Sequence, residues 1–160
     1  MKIEFLSSAF AVRRLNTEDV ELIYDLCCKN EIFYQYHPPF VTKESIKEDM
    51  RALPPDKEHK DKYYIGFFEN ETLVAIMDLI LGYPAKNIAF VGLFMMNTEY
   101  QRKGVGSKII AECAKYLRTL GFNKIRLGAD KGNPQSNAFW KKNGFIIASE
   151  SEYILMELVL

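Results

Sequence analysis

The 160-residue sequence has no long apolar run, and no segment approaches the ~18 residues that a membrane-spanning helix requires. It has no excess of either charge. Lys plus Arg and Asp plus Glu both number 21, so no global field draws the chain to nucleic acid or to an anionic membrane. Any basic site must therefore be local. Cysteines number only 3, and Cys27 and Cys28 are neighbours, which argues against a disulfide framework. Nothing nearby would activate either of those two thiols, so both read as small packing residues. Met1 to Leu15 is too acidic and too weakly apolar for a signal peptide. Repeats, linkers and low-complexity segments are absent. The expectation is a single domain over residues 1–160 in a reduced, cytoplasmic setting, with no metal and no nucleic-acid or membrane partner.

What is present is enough for a packed core. The composition is 48% apolar and 13% aromatic, which places the chain among globular proteins rather than disordered ones. Phe10 to Leu15 reads as a strand, with Met1 to Leu6 as a lead-in or edge strand before it. Asn16 is an N-cap for a helix whose apolar residues Val20, Ile23, Tyr24 and Cys27 recur at helical spacing. Glu31 to Val41 reads as an aromatic loop stiffened by Pro38-Pro39, with Phe33 and Phe40 covering the core. Thr42 caps a second helix that Pro54-Pro55 stops, and the charged stretch Asp56 to Lys62 reads as a solvated connection.

Tyr63 to Glu69 and Leu73 to Tyr83 form a hairpin about Asn70-Glu71, and Ile88 to Asn97 is the next strand. Asp78 is the one charge inside its strand, so it needs a partner, an open face or an unusual protonation state. A helix follows to Gly121, then a strand from Lys124 to Ala129. A short helix begins at Asn133-Pro134, and a terminal pair spans Phe145 to Ala148 and Tyr153 to Val159. The order β-α-α-β-β-β-α-β-α-β-β gives an α/β fold with a mixed sheet and helices on both faces.

One stretch organises the rest. An apolar strand ending in Phe94-Met95-Met96 leads through a polar turn into Gln101-Arg102-Lys103-Gly104-Val105-Gly106-Ser107, which opens directly into a helix. Helix N-termini leave backbone N–H groups unpaired and carry partial positive charge; two glycines clear space, and Arg102 and Lys103 add formal charge. This is a pyrophosphate cradle. A dinucleotide fingerprint would need a third glycine where Ile109 stands, and a Walker A loop would read Gly-Lys-Ser where this chain has Gly106-Ser107-Lys108.

Gln-x-x-Gly-x-Gly behind a hydrophobic strand resembles the acyl-CoA loop of the GNAT superfamily of N-acyltransferases. A second segment strengthens the likeness: Asn133, Ser136, Phe139, Trp140, Lys142, Gly144 and Phe145 follow the family's Asn-x-x-Ala-x-x-Phe-Tyr-x-Lys-x-Gly-Phe pattern. The resemblance spans about positions 10 to 150. It implies the GNAT fold and direct transfer of acetyl from acetyl-CoA, the cosubstrate, to a primary amine of a small molecule or protein through a tetrahedral oxyanion. It further implies that Met96 pairs with pantetheine, that the Phe94 N–H faces the thioester carbonyl, and that Asn133 and Ser136 lie near the acetyl end. Lys142 would then reach a 3′-phosphate or merely solvate its helix. Many members self-associate through elements near the C-terminus, so the resemblance also allows a homodimer.

The chain departs from the pattern at both proton-transfer positions. Phe90 stands six residues before Met96, where some members carry a glutamate base, and Trp140 stands where many carry a tyrosine acid. An indole N–H donates a hydrogen bond but is a poor acid, so Trp140 would orient the sulfur. Asp78, acting through water, is the candidate base, ahead of Tyr36 and His37, which the family's geometry places on the acceptor side. The competing reading is a non-catalytic acyl-CoA-binding domain.

Overall fold

The computed structural model describes all 160 residues. The chain begins with a 3-10 turn, Ile3–Leu6, where the sequence suggested a lead-in strand. A compact turn buries Leu6 completely and lets the Ser7 and Ser8 hydroxyls donate to the Glu112 carboxylate, each at 2.6 Å. Extended backbone would have spread those three residues along a sheet edge instead.

Strand β1 (Ala11–Arg14) precedes α1 (Val20–Cys27), which a 3-10 turn introduces; Asn16 and Asp19 cap each other's backbone there. Next comes α2 (Glu31–Tyr36), a helix in the segment expected to be a loop. Aromatic residues are middling helix formers, but Phe33 and Tyr34 pack against the core, and that tertiary contact decides the local structure. The helix stops at His37 because Pro38 cannot follow in helical conformation. Of the two aromatics expected to cover the core, Phe33 does pack on it, whereas Phe40 is 47% exposed.

Helix α3 (Lys43–Arg51) leads to β2 (Lys62–Glu69), β3 (Thr72–Leu81) and β4 (Ile88–Met96), an antiparallel meander. Then follow α4 (Val105–Thr119), β5 (Lys124–Ala129), α5 (Pro134–Lys142), β6 (Ile146–Glu150) and β7 (Ile154–Val159). The seven strands form one mixed sheet in the order β1-β2-β3-β4-β5-β7-β6, with β4 and β5 its parallel pair. Apart from α2, the α/β order is the one read from the sequence.

Residues 62–68 and 73–80 are buried on both sides because helices cover both faces of the sheet. Phe67, Met77 and Leu79 join the core beneath α4 and α5, while Tyr64, Phe68 and Ile76 join the core beneath α1 and α3. Each such side chain contributes about 1.5–3 kcal/mol by leaving water. The stretch read as a solvated connection ends differently from expectation: Lys62 is the first residue of β2 and is only 4% exposed.

Candidate active site

The parallel pair β4–β5 holds together only at its start. Ile88 to Val91 match Lys124 to Leu127, yet β4 runs on to Met96 and β5 to Ala129. From Gly92 and Gly128 onward the two strands diverge, opening a cleft of about 860 Å³. Hydrogen-bond parity shows which backbone groups face it. The Asn97 N–H bonds the Val74 carbonyl at 2.8 Å, so Met95 also faces β3, while Met96 and Phe94 turn their backbone groups outward into the gap. Consistent with this, the Met96 carbonyl accepts from Asn30 Nδ2 at 3.0 Å and from Gln101 Nε2 at 3.3 Å.

At one end of the cleft lies the glycine loop. Arg102 and Gly104 both take left-handed conformations, φ 60° and 79°, which turn the chain into the N-terminus of α4. The first backbone bond there runs from the Lys108 N–H to the Gly104 carbonyl at 3.0 Å, leaving the amides of Val105, Gly106 and Ser107 projecting from the helix end. A Cβ at Gly104 would meet nothing within 4 Å, so the space before the loop is open. Gln101, Arg102, Gly104, Gly106 and Ser107 line the cleft, whereas Lys103 points to solvent and Val105 packs on the core. These features suit a bound pyrophosphate.

Asn133, Ser136, Trp140 and Lys142 all reach the cleft from α5. Asn133 is buried, and its carboxamide oxygen accepts the Ser136 N–H at 3.0 Å as the helix cap. Trp140, 6% exposed, packs with Phe94, Phe139 and Phe145, with ring centroids 5.0–5.9 Å away. It is a core aromatic whose edge also borders the divergence of the strands.

The opposite end is acidic. Asp78 lies on the cleft wall, 8% exposed, with its Oδ2 only 2.6 Å from Lys62 Nζ and its Oδ1 buried without a partner. A bulge makes the room. The register skips between Asp78 and Leu79, leaving Gly92 as the extra residue of β4, and a Cβ there would stand 2.8 Å from Asp78 Oδ2. Burial pushes the Asp78 carboxyl above its ordinary range, and the Lys62 ammonium pulls the other way. Asp49 of α3 faces the same space with no ion-pair partner; loss of hydration raises its carboxyl too, although its side chain still meets solvent.

His37 lines the cleft, its Nδ1 3.0 Å from Asp130 Oδ1 across the mouth. Tyr36 does not line it: the alternation of α2 turns its ring onto Gly132, and Tyr34 takes the place on the wall expected for it. The sequence reading missed Asp49, Tyr64 and Lys62. The one signal toward them was the isolated charge of Asp78, for which a partner was one of the readings.

The glycine loop opening α4 and the second motif on the next helix lie where the sequence pattern put them, and the divergence of β4 from β5 brings both to one cleft. The model of the acetyltransferase (GNAT) family matches residues 27–145. The chain belongs to the GNAT acetyltransferase family. As a GNAT protein it is an acyl-CoA-dependent N-acyltransferase, with acetyl-CoA as cosubstrate.

Its relatives are distant in sequence. A spermidine N(1)-acetyltransferase of Thermoplasma acidophilum is 22% identical over 142 residues, covering 84% of this chain and 86% of the relative. Among solved structures, an acetyltransferase from Thermus thermophilus superposes with a TM-score of 0.81 at 19% identity, covering 95% of this chain and 97% of the other. The PaiA N-acetyltransferase from Thermoplasma acidophilum, in complex with coenzyme A, gives 0.71 at 20% identity, covering 94% and 99%. These two likenesses are of fold. No helix of this GNAT chain is long and apolar enough to cross a membrane.

Proposed function

We propose that this protein acetylates the primary amine of a small cationic acceptor, with a polyamine as the leading class. The observation that carries the proposal is the polarity of the cleft. Arg102 and the α4 N-terminus line the end where β4 runs into the glycine loop, while Asp78 lies beside Gly92 where the strands begin to part, with Asp49 near enough that its charge adds to the upward push on the Asp78 carboxyl. The basic end suits a nucleotide pyrophosphate and the acidic end a polycation. Phe33, Tyr34, Tyr64 and Phe90, also on the wall, would flank the methylene chain of such an amine. The distant spermidine acetyltransferase agrees with this class.

In this reading the Phe94 N–H, turned into the gap, donates to the oxyanion that forms when the amine attacks the thioester carbonyl. Asp78 removes the ammonium proton through a water. Trp140 orients the sulfur. Met96, Gln101, Gly104, Ser107, Asn133 and Ser136 position the donor, with Lys142 near its 3′-phosphate. Thiol release from acetyl-CoA, measured with spermidine, a monoamine, an amino acid and a peptide N-terminus, tests the assignment. Stimulation by the polyamine above the others supports it; equal or greater stimulation by the uncharged-chain monoamine or the peptide overturns it.

A further inference from the structure

We propose that Lys62 and Asp78 form a proton relay through the wall of the active site, carrying the acceptor's proton to a second cavity on the other side. The inference rests on Asp78 being the base.

Three observations place the relay. Asp78 lines the main cleft, and Lys62 does not. Lys62 instead lines a separate cavity of about 280 Å³, together with Arg14, Asn16, Thr17, Met50 and His59, and Asp78 is absent from that wall. The two side chains meet between the cavities at 2.6 Å, with the Tyr64 ring bordering both spaces beside them. Lys62 is an unusual residue for its place. A 4% exposed lysine in a strand otherwise filled by Tyr63, Tyr64, Ile65 and Phe67 needs a reason beyond stability, because a buried ion pair is seldom more stable than an apolar replacement.

The need is chemical. With the donor along the β4 edge and the amine against Asp78, a route through the wall lets the proton taken from the ammonium leave without crossing the bound substrates. The relay balances as follows. The Asp78 carboxylate takes a proton from the acceptor ammonium by way of the intervening water, freeing the nitrogen lone pair for attack. Lys62 gives one of its three protons to water in the second cavity. The Asp78 carboxyl then rotates about Cβ–Cγ and passes its proton to the neutral Lys62 amine. Carboxylate and ammonium are restored, and one proton has left on the far side. The other titratable groups around the pair are Tyr64 on β2, Asp49 on α3, Arg14 and His59 on the wall of the second cavity, and, behind Tyr64, Tyr34 on α2 and Cys27 on α1. Burial holds Tyr64, Tyr34 and Cys27 in their neutral forms, so none of them competes for the proton.

The test is a double-mutant cycle on kcat with saturating acetyl-CoA and amine, using Asp78→Asn, Lys62→Met and the double variant. Lys62→Met alone strands a buried carboxylate; the double variant carries no buried charge and guards against loss of folding, which thermal melting and coenzyme A binding check independently. Each single change should lower kcat by about 100-fold, in the range of one lost acid–base step, with coenzyme A affinity within about twofold. The double variant should be no slower than Asp78→Asn, because the two act as one device. Lys62→Arg, which keeps the charge but cannot release a proton, should remain slow.

Full recovery in Lys62→Arg would reduce Lys62 to a fixed charge and overturn the relay. Multiplicative losses in the double variant would do the same. A slow Asp78→Asn beside a normal Lys62→Met would remove the relay but keep Asp78 as the base. A normal Asp78→Asn would remove the base assignment itself.

Discussion

Replacing Gly104 separates charge from bulk at the loop. Its φ of 79° is left-handed, so any other residue costs about 1 kcal/mol in backbone strain. For a chain of this size that lowers Tm by roughly 2–4 °C. The position before it is open, so Gly104→Ala, Gly104→Gln and Gly104→Glu should all fold with that same small penalty. They should part company in binding. A glutamate carboxylate about 5 Å from one phosphate charge, at an effective dielectric near 20, opposes binding by about 3 kcal/mol, or at least ~100-fold in Kd. Isothermal titration with coenzyme A should therefore show near-normal affinity for Gly104→Ala, a modest loss for Gly104→Gln and a loss beyond ~100-fold for Gly104→Glu. The glutamate effect should shrink as salt is raised, since the site is exposed. Equal losses for Gln and Glu would mean that bulk alone matters, and normal binding by Gly104→Glu would refute the cradle.

Other expectations follow from the same geometry. Gly92→Ala places a methyl 2.8 Å from Asp78 Oδ2 and should cost about 1–3 kcal/mol in chemical denaturation while lowering kcat more than acetyl-CoA affinity. Asp49→Asn should raise KM for a polyamine roughly fivefold, about 1 kcal/mol, and leave KM for a monoamine unchanged in steady-state assays. Glu157, held below the usual glutamate value of 4.5 by hydrogen bonds from Lys124 and Arg126, favours the folded state when ionised. Its contribution is thus full above about pH 4.5 and is lost as the pH falls through the lowered value; melting between pH 3 and pH 6 should show a shallower acid decline for Lys124→Met.

Much of this site was legible because its chemistry is local in sequence. The cradle occupies consecutive residues, and Asn133 to Phe145 is a single helix with its cap and stop, so glycine spacing and capping rules reached both. What escaped was assembled across the fold. Lys62 sits among Asp56 to Asp61, whose composition says solvent, and only the antiparallel register that sets β2 beside β3 brings it to Asp78. Helix α2 was read as a loop because Pro38-Pro39 follow it so closely and its aromatics carry no helical period of their own; packing on the core supplies the helix. The strand divergence depends on where the β4–β5 pairing ends, and no single residue announces that. Tyr36 was placed on the correct segment but on the wrong side of a helix that had not been foreseen.

The most direct measurement is transfer of an isotopically labelled acetyl group from acetyl-CoA, in the presence of spermidine, with the products read by mass spectrometry. Label on a spermidine nitrogen, formed by the native chain and lost in Gly104→Glu, is the result this account predicts. Label that stays on coenzyme A, or that appears only as free acetate, would contradict it.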